Sequence, residues 1–478
     1  MKEQYAFFFD ARFCSGCKAC QAACKDKNNL PPGVLWRRVI EVSGGSWQKD
    51  GVAWNNTVFA YNFSIACNHC LHPKCAGICP VNAFIVREDG IVILDETKCM
   101  GCGYCAWGCP YDVPQYDYEA GHMSKCDFCF DQLEQGLPPV CVAACPLRVL
   151  EYGEMTSSSP TPNEIRLWEA PSNTHPYPLP VTSHTQPRLA VKQHPAMCSP
   201  VEKHLANREE IRPRSPSAGE DLPLLIFTLL GQMAVGGLWA VAWMFPPVWS
   251  QVRYEATFLR VLPLLLIGGC LAGGMLASLA HLGTKKNAWR VFTNLRHSSI
   301  SKEVFYTGLF GISILFGVVQ ILFLKQDLFL ITAFASIAGL ALVYNMAQVY
   351  RLRAAPGWNT WRTNAVFLVS ALLLGLAAMT PILYYESIST GIQIRPGGQI
   401  TVCVIILALL IMQLLLMRKR PGQSPAYELR MGLLLLGMGI AAASLFGHVD
   451  FTRTSLLIFA VVILEETLGR WLFYRSRL

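Results

Sequence analysis

The sequence predicts two folds in one chain, a small α+β domain rich in thiolates followed by an all-α membrane bundle of eight helices. Three observations predict it. Of the 19 cysteines, 16 lie between Cys14 and Cys145. The chain is 52% hydrophobic and 15% charged over 478 residues, which excludes both a disordered chain and a small disulfide-held scaffold. Charge divides at the same place: residues 1–221 hold 20 Lys+Arg against 24 Asp+Glu and residues 222–478 hold 20 against 8, so the net +8 is −4 combined with +12. The basic excess belongs to the apolar half, where lipid head groups and membrane orientation account for it, and no nucleic-acid partner is expected.

In chain order the cysteines form four groups. Cys14, Cys17, Cys20 and Cys24 follow C-x2-C-x2-C-x3-C, and Cys67, Cys70, Cys75 and Cys79 follow C-x2-C-x4-C-x3-C-P. Cys99, Cys102, Cys105 and Cys109 return to the first spacing and end in proline, while the last group is stretched: Cys126, Cys129, Cys141 and Cys145. Three thiolates on a tight loop reach three irons of a cubane, and the fourth points to a neighbouring cluster, so groups are used in pairs. Sixteen thiolates at four per cubane make four [4Fe-4S] clusters. Zinc ribbons pair two C-x2-C knuckles and do not need this pattern. Gly16, Gly101 and Gly103 keep the loops small, and Pro80, Pro110 and Pro146 stop the chain after the fourth ligand. Residues 83–94 read as a hairpin turning at Asp89-Gly90. Residues 1–150 are therefore expected to form an α+β ferredoxin-like iron-sulfur domain of two tandem bicluster modules.

Residues 151–221 hold 11 of the 29 prolines and are expected to be an extended strap, either a passive tether or a tail wrapping a partner. His175, His184 and His194 are read as surface residues. From residue 222 to 478, uncharged windows of bilayer length recur at 222–245, 261–280, 304–324, 328–350, 363–385 and 399–417. A shorter one at 431–447 and a charged one at 454–474, with Glu465, Glu466 and Arg470, complete eight. Glu466 and Arg470 stand i, i+4 and are expected to neutralise one another. His448 and Asp450 are read as loop residues on the face away from the clusters.

With eight crossings, 15 basic residues share the iron-sulfur face: Lys285, Lys286, Arg290, Arg296, Lys302, Arg351, Arg353, Arg362, Arg418, Lys419, Arg420, Arg430, Arg470, Arg475 and Arg477. Five lie opposite: Arg253, Arg260, Lys325, Arg395 and Arg453. That bias places the clusters on the cytoplasmic face of a bacterial inner membrane. Arg37-Arg38 stands too far in, without a following apolar stretch, to act as an export signal.

The apolar half has three histidines, His281, His297 and His448, all at or near helix ends, so no haem is expected and electrons would be exchanged with a diffusible quinone. His281 closes the second helix and Glu303 opens the third. A hydroquinone loses two protons as its electrons leave, so a His and a carboxylate on the cluster face are the groups its oxidation needs. Each has an ordinary alternative, an interfacial anchor for His281 and a charge favoured by the helix dipole for Glu303.

The cysteine pattern, from Tyr5 to about His194, resembles the four-cluster electron-transfer subunit of the molybdopterin-dependent dimethyl sulfoxide reductase family. HLG (281–283), SSISKE (298–303) and ETLGR-x-x-FY (466–474) resemble its quinol-oxidising membrane anchor, over 222 to about 474. The resemblance implies pairing of group one with four and of two with three. The ligand sets would be Cys14, Cys17, Cys20, Cys145; Cys24, Cys126, Cys129, Cys141; Cys67, Cys70, Cys75, Cys109; and Cys79, Cys99, Cys102, Cys105. Some relatives carry Trp in the third group and a three-iron cluster; Cys102 argues against that here. The resemblance further implies menaquinol as the exchangeable donor, His281 and Glu303 as its site, the Cys102 cluster as its acceptor, and a separate molybdopterin catalytic subunit as partner.

Tyr104, Pro80, Lys285 and Arg290 are expected to line the junction between donor and acceptor. In the best-known relatives the iron-sulfur subunit is exported, which opposes the charge-based orientation. With both half-reactions on one face, the reaction is expected not to be electrogenic. The rival readings are a quinone-reducing arm of a formate, sulfide or hydrogen oxidising complex, and a conduit without its own quinone site.

Overall fold

The structure, a computed structural model, describes residues 4–155, 164–166, 184–198, 221–244, 257–324, 329–390, 396–417, 425–445 and 451–475. His175, Arg253, Lys325, Arg395, Arg418, Lys419, Arg420, His448, Asp450 and Arg477, named above, lie outside these residues. The chain divides into two compact units, residues 1–215 with 282–298 and residues 216–281 with 299–478.

In the first unit a four-stranded sheet has the order β10-β1-β12-β11. Strand β1 (Gln4–Asp10) buries Phe7 and Phe9 on alternate positions, as a half-buried strand should. It pairs antiparallel with β10 (Leu150–Met155), Gln4 opposite Met155, and parallel with β12 (Leu189–Lys192), Phe7 opposite Leu189. Strand β11 (Glu164–Arg166) runs antiparallel to β12. Four two-stranded ribbons complete the β structure: β2 (Arg38–Gly44) with β5 (Phe59–Ile65), β3 (Trp47–Asp50) with β4 (Ala53–Asn56), β6 (Phe84–Val86) with β7 (Val92–Leu94), and β8 (Gln115–Asp117) with β9 (His122–Ser124). The β6–β7 ribbon is the hairpin expected at residues 83–94, with Gly90 at φ 81° in its turn.

Short helices stand among the cysteine loops: α1 (Ala19–Lys27) with Cys20 and Cys24, α2 (Lys74–Ile78) with Cys75, α3 (Tyr104–Gly108) with Cys105, α4 (Phe130–Leu133), which follows Cys129, and α5 (Val140–Ala143) with Cys141. The core is aromatic, with the Phe7 and Phe128 rings stacked at 4.2 Å.

The expected division at residue 150 is not where the fold divides. Strand β10 begins at Leu150, and β12 from the expected strap lies inside the sheet with Leu189, Ala190 and Val191 buried. Residues 184–188 run along the second cysteine group: Leu71 and His72 donate backbone N–H to the carbonyls of Gln186 and Thr185, and Arg188 to that of Asn68. This part of the Pro-rich stretch wraps the chain's own iron-sulfur unit. His194 is half-buried, its ring stacked on Tyr61 at 5.5 Å.

The second unit has eight long helices among the described residues: α6 (Leu222–Trp239), α7 (Thr257–Ala280), α8 (Ser299–Val319), α9 (Phe329–Tyr350), α10 (Trp361–Thr390), α11 (Pro396–Leu416), α12 (Pro425–Leu445) and α13 (Phe451–Arg475). Where eight crossings were expected, the first seven are long and apolar enough to cross a bilayer. Helix α13 has the length but carries Arg453, Glu465, Glu466 and Arg470. The expected short window at 431–447 is a full helix from Pro425 to Leu445; Glu428 in its first turn and Arg430 interrupt the uncharged run, which is why the sequence showed only its later part. Gly236 of α6 and Gly375 of α10 let two backbones meet: a Cβ on Gly236 would overlap the Ala371 carbonyl.

Candidate electron-transfer sites

Helix α1, with Cys20 and Cys24, packs against α5, with Cys141, and α2, with Cys75, packs against α3, with Cys105. Group one thus meets group four, and group two meets group three. Cys67, Cys70, Cys75 and Cys109 line one cavity. Cys14, Cys17, Cys20 and Cys145 line another. Cys24 lies within electrostatic reach of Cys141 and Cys129, Cys126 of Cys24, and Cys105 of Cys102, Cys79 and Cys99. Among the described residues no three His, Cys, Asp or Glu side chains converge where one ion could be held. Thiols ringing a cavity fit a [4Fe-4S] cubane, which takes four thiolates around a body of its own. Burial pushes the thiols of Cys24, Cys102 and Cys109 up to about 12 and that of Cys129 to about 11, so they are neutral at pH 7 and loading must release their protons.

Residues 282–298 belong to this same unit and fasten to its cysteine loops. Leu282 packs with Cys79, Val81, Cys99, Met100 and Cys105. Asn287 Nδ2 donates to the carbonyls of Thr97 (2.8 Å) and Cys99 (2.9 Å), and Asn294 Nδ2 to those of Cys79 (2.9 Å) and Gly77 (3.3 Å). Thr284 N–H donates to the Met100 carbonyl (3.2 Å) and its hydroxyl to that of Gly121 (3.2 Å). Gly283 sits so close to the β8–β9 turn that a Cβ would overlap the Gly121 carbonyl and the Tyr116 hydroxyl, which is the physical need for glycine in HLG.

Of the four residues expected at the junction, Pro80 accepts a 3.4 Å hydrogen bond at its carbonyl from Thr293, and Tyr104 is 1% exposed. Lys285 is exposed, and Arg290 lays its guanidinium over Trp289 at 4.9 Å. Neutral Asn and Thr side chains, not these cations, fasten the loop. Sequence reading missed them because an amide carries no pattern of its own.

In the membrane unit, His281 directly follows α7, and burial holds its imidazole below the ordinary value. Glu303, in the first turns of α8, is 7% exposed. No hydrogen bond joins the two among the described residues. Glu303 instead lies within electrostatic reach of Tyr350 and Tyr474, whose hydroxyls are 2.7 Å apart. Arg470 lies within electrostatic reach of Glu466, as their i, i+4 spacing led one to expect, but the hydrogen bonds of both go to other helices. Glu466 accepts from Ser370 (2.8 Å) and from Gln413, while Arg470 donates to Gln232 (2.7 Å) and lies over Phe367 at 3.9 Å. Glu465 takes the salt bridge, from Arg430 at 2.7 Å. Tyr350 had no sequence signal; Tyr474 closed the ETLGR-x-x-FY stretch.

Paired thiolate cavities in one unit and apolar bilayer-length helices in the other define a membrane-anchored iron-sulfur electron-transfer protein. Residues 217–475 match the DMSO reductase anchor subunit (DmsC) and residues 58–155 a 4Fe-4S dicluster domain. The chain belongs to the DMSO reductase anchor subunit family, with the iron-sulfur domain on the same polypeptide. Among its relatives is the probable anaerobic dimethyl sulfoxide reductase subunit YnfG of Escherichia coli (strain K12), 44% identical over 214 residues, 44% of this chain and 100% of that one. The B subunit of anaerobic dimethyl sulfoxide reductase from the same organism is 44% identical over 192 residues, 40% of this chain and 90% of that one. Its counterpart from Haemophilus influenzae is 46% identical over 192 residues, 40% of this chain and 89% of that one.

Proposed function

We propose that the chain is the combined electron-transfer and anchor arm of an anaerobic respiratory reductase. It oxidises menaquinol at the His281 and Glu303 end of the bundle and passes electrons through four [4Fe-4S] clusters to a separate molybdopterin subunit that reduces dimethyl sulfoxide or a similar S- or N-oxide. The clusters occupy the four ligand sets given above, in two tandem modules, and supply one-electron steps between a two-electron donor and a two-electron acceptor. Helix α13 is the eighth span, its charges satisfied within the bundle.

The observation that carries this reading is the fastening of residues 282–298. The segment that begins one residue after His281 is bonded to the carbonyls of Cys99 and Cys79, both in the ligand set nearest the quinol by this assignment. A quinol gives up two electrons and two protons. His281 as the neutral imidazole and Glu303 as the carboxylate accept the protons, while the segment that follows His281 is fastened to the acceptor's ligand loops. The clusters lie on the cytoplasmic face, in keeping with the 15-to-five distribution of basic residues, so both half-reactions share one side and no charge is moved across the membrane.

Iron and acid-labile sulfide analysis of the purified full-length chain, with redox-poised EPR, tests the assignment. Four distinct cubane signals are expected; two or three, or a three-iron signal, would contradict the ligand sets.

A further inference from the structure

Arg37 and Arg38 stand at the entry to β2, Arg38 as its first residue, and their side chains point to opposite faces. Arg38 turns one way and donates Nη2 to the carbonyls of Tyr111 (2.8 Å) and Asp112 (3.3 Å). Arg37 turns inward and is 2% exposed. Its guanidinium lies over the Phe7 ring at 4.5 Å, and Nη1 donates to the Ser64 hydroxyl at 3.1 Å. That hydroxyl is 3.5 Å from Cys20 Sγ. Nε and Nη2 are buried with no hydrogen-bond partner among the described residues, and no carboxylate there forms an ion pair with this arginine. The titratable groups within its electrostatic reach are the thiols of Cys141, Cys126, Cys20 and Cys24 and the His69 imidazole, which is no counter-charge for a guanidinium.

A guanidinium stays protonated under all working conditions, and burying one without a counter-charge is costly. Only bound thiolates can supply the missing anion here, and they belong to two ligand sets. Cys20 is in the set with Cys14, Cys17 and Cys145; Cys24, Cys126 and Cys141 share the set with Cys129. We propose that Arg37 is a potential-setting residue shared by these two clusters, its charge and its two free donor nitrogens favouring the reduced form of each. Arg37 acts on a step in which one electron enters and no proton moves, adding a negative charge to a centre already anionic. A fixed neighbouring cation therefore raises the reduction potential, as do hydrogen bonds to the sulfurs. The other two sets, around Cys67 and Cys102, have no ligand among the thiols named near Arg37. The inference rests on the proposed ligand sets.

The test is EPR potentiometry on the full-length chain in membranes, comparing Arg37→Met, of similar length but uncharged, with Arg37→Lys. Arg37→Met is expected to lower two of the four midpoints by at least a tenfold change in the reduction equilibrium, about 59 mV for one electron, and to leave the other two in place. Arg37→Lys keeps the charge without the fork of donors and is expected to shift the same two by less. Four unmoved midpoints, or four moved equally, would overturn the inference. If Arg37→Met loses iron, Arg37→Lys decides alone: a downward shift confined to two clusters supports the role, and unmoved midpoints overturn it. Fewer than four clusters in the unsubstituted chain would instead overturn the ligand assignment.

Discussion

Replacing Glu303 by Gln is expected to slow reduction of the clusters by menaquinol by on the order of 10²–10⁴, the usual contribution of a positioned proton acceptor, while dithionite still reduces them fully. Gln keeps the size and polarity of the side chain but cannot take a proton. Glu303 is buried at the start of α8 beside the hydrogen-bonded Tyr350 and Tyr474 hydroxyls, so no solvent carboxylate can stand in for it. The measurement is the rate at which cluster EPR signals appear after quinol is mixed with membranes containing the full-length chain. A normal rate in the variant would remove Glu303 from the reaction and leave the chain as a conduit.

The second large effect is expected from the asparagine clasp. Asn287 and Asn294 each donate to two backbone carbonyls, and both are 6% exposed, so truncation strands those carbonyls away from water. Each Asn→Ala change is expected to cost about 1–3 kcal/mol of local stability, the usual penalty for a buried polar group left unpaired. In the double variant, hydrogen exchange over residues 284–298 should accelerate while strands β1 and β10 keep their protection. Menaquinol-driven reduction should slow as well, because residue 281 is tied to the Cys99 loop through Leu282 and Gly283. Unchanged exchange would show that the asparagines do not hold the segment.

The cysteine groups were legible because metal chemistry enforces spacing within one short loop, and the β6–β7 hairpin because Asp89-Gly90 announces its own turn. The helices through α11 were legible because hydrocarbon demands unbroken apolar runs. What escaped had no local pattern. Strand β12 is four residues in a Pro-rich stretch, and it exists because β1 offers it an edge. Helix α12 was cut short by Glu428 and Arg430, and α13 fails a strict apolar test because it carries Glu465, Glu466 and Arg470, charges whose partners lie on other helices. For the candidate quinol site, His281 and Glu303 could be named from topology. Tyr350 and Arg470's bond to Gln232 could not, since they join positions distant in the sequence.

The most direct test of the account is a menaquinol titration of the purified full-length chain in lipid nanodiscs, with no partner subunit present, followed by EPR. The account predicts that quinol alone delivers electrons to the iron-sulfur clusters and that Glu303→Gln slows the approach to this reduced state by on the order of 10²–10⁴ while dithionite reduction persists. Clusters that dithionite reduces but menaquinol leaves oxidised in the unsubstituted chain, across quinol-to-quinone ratios that bracket their midpoints, would contradict it.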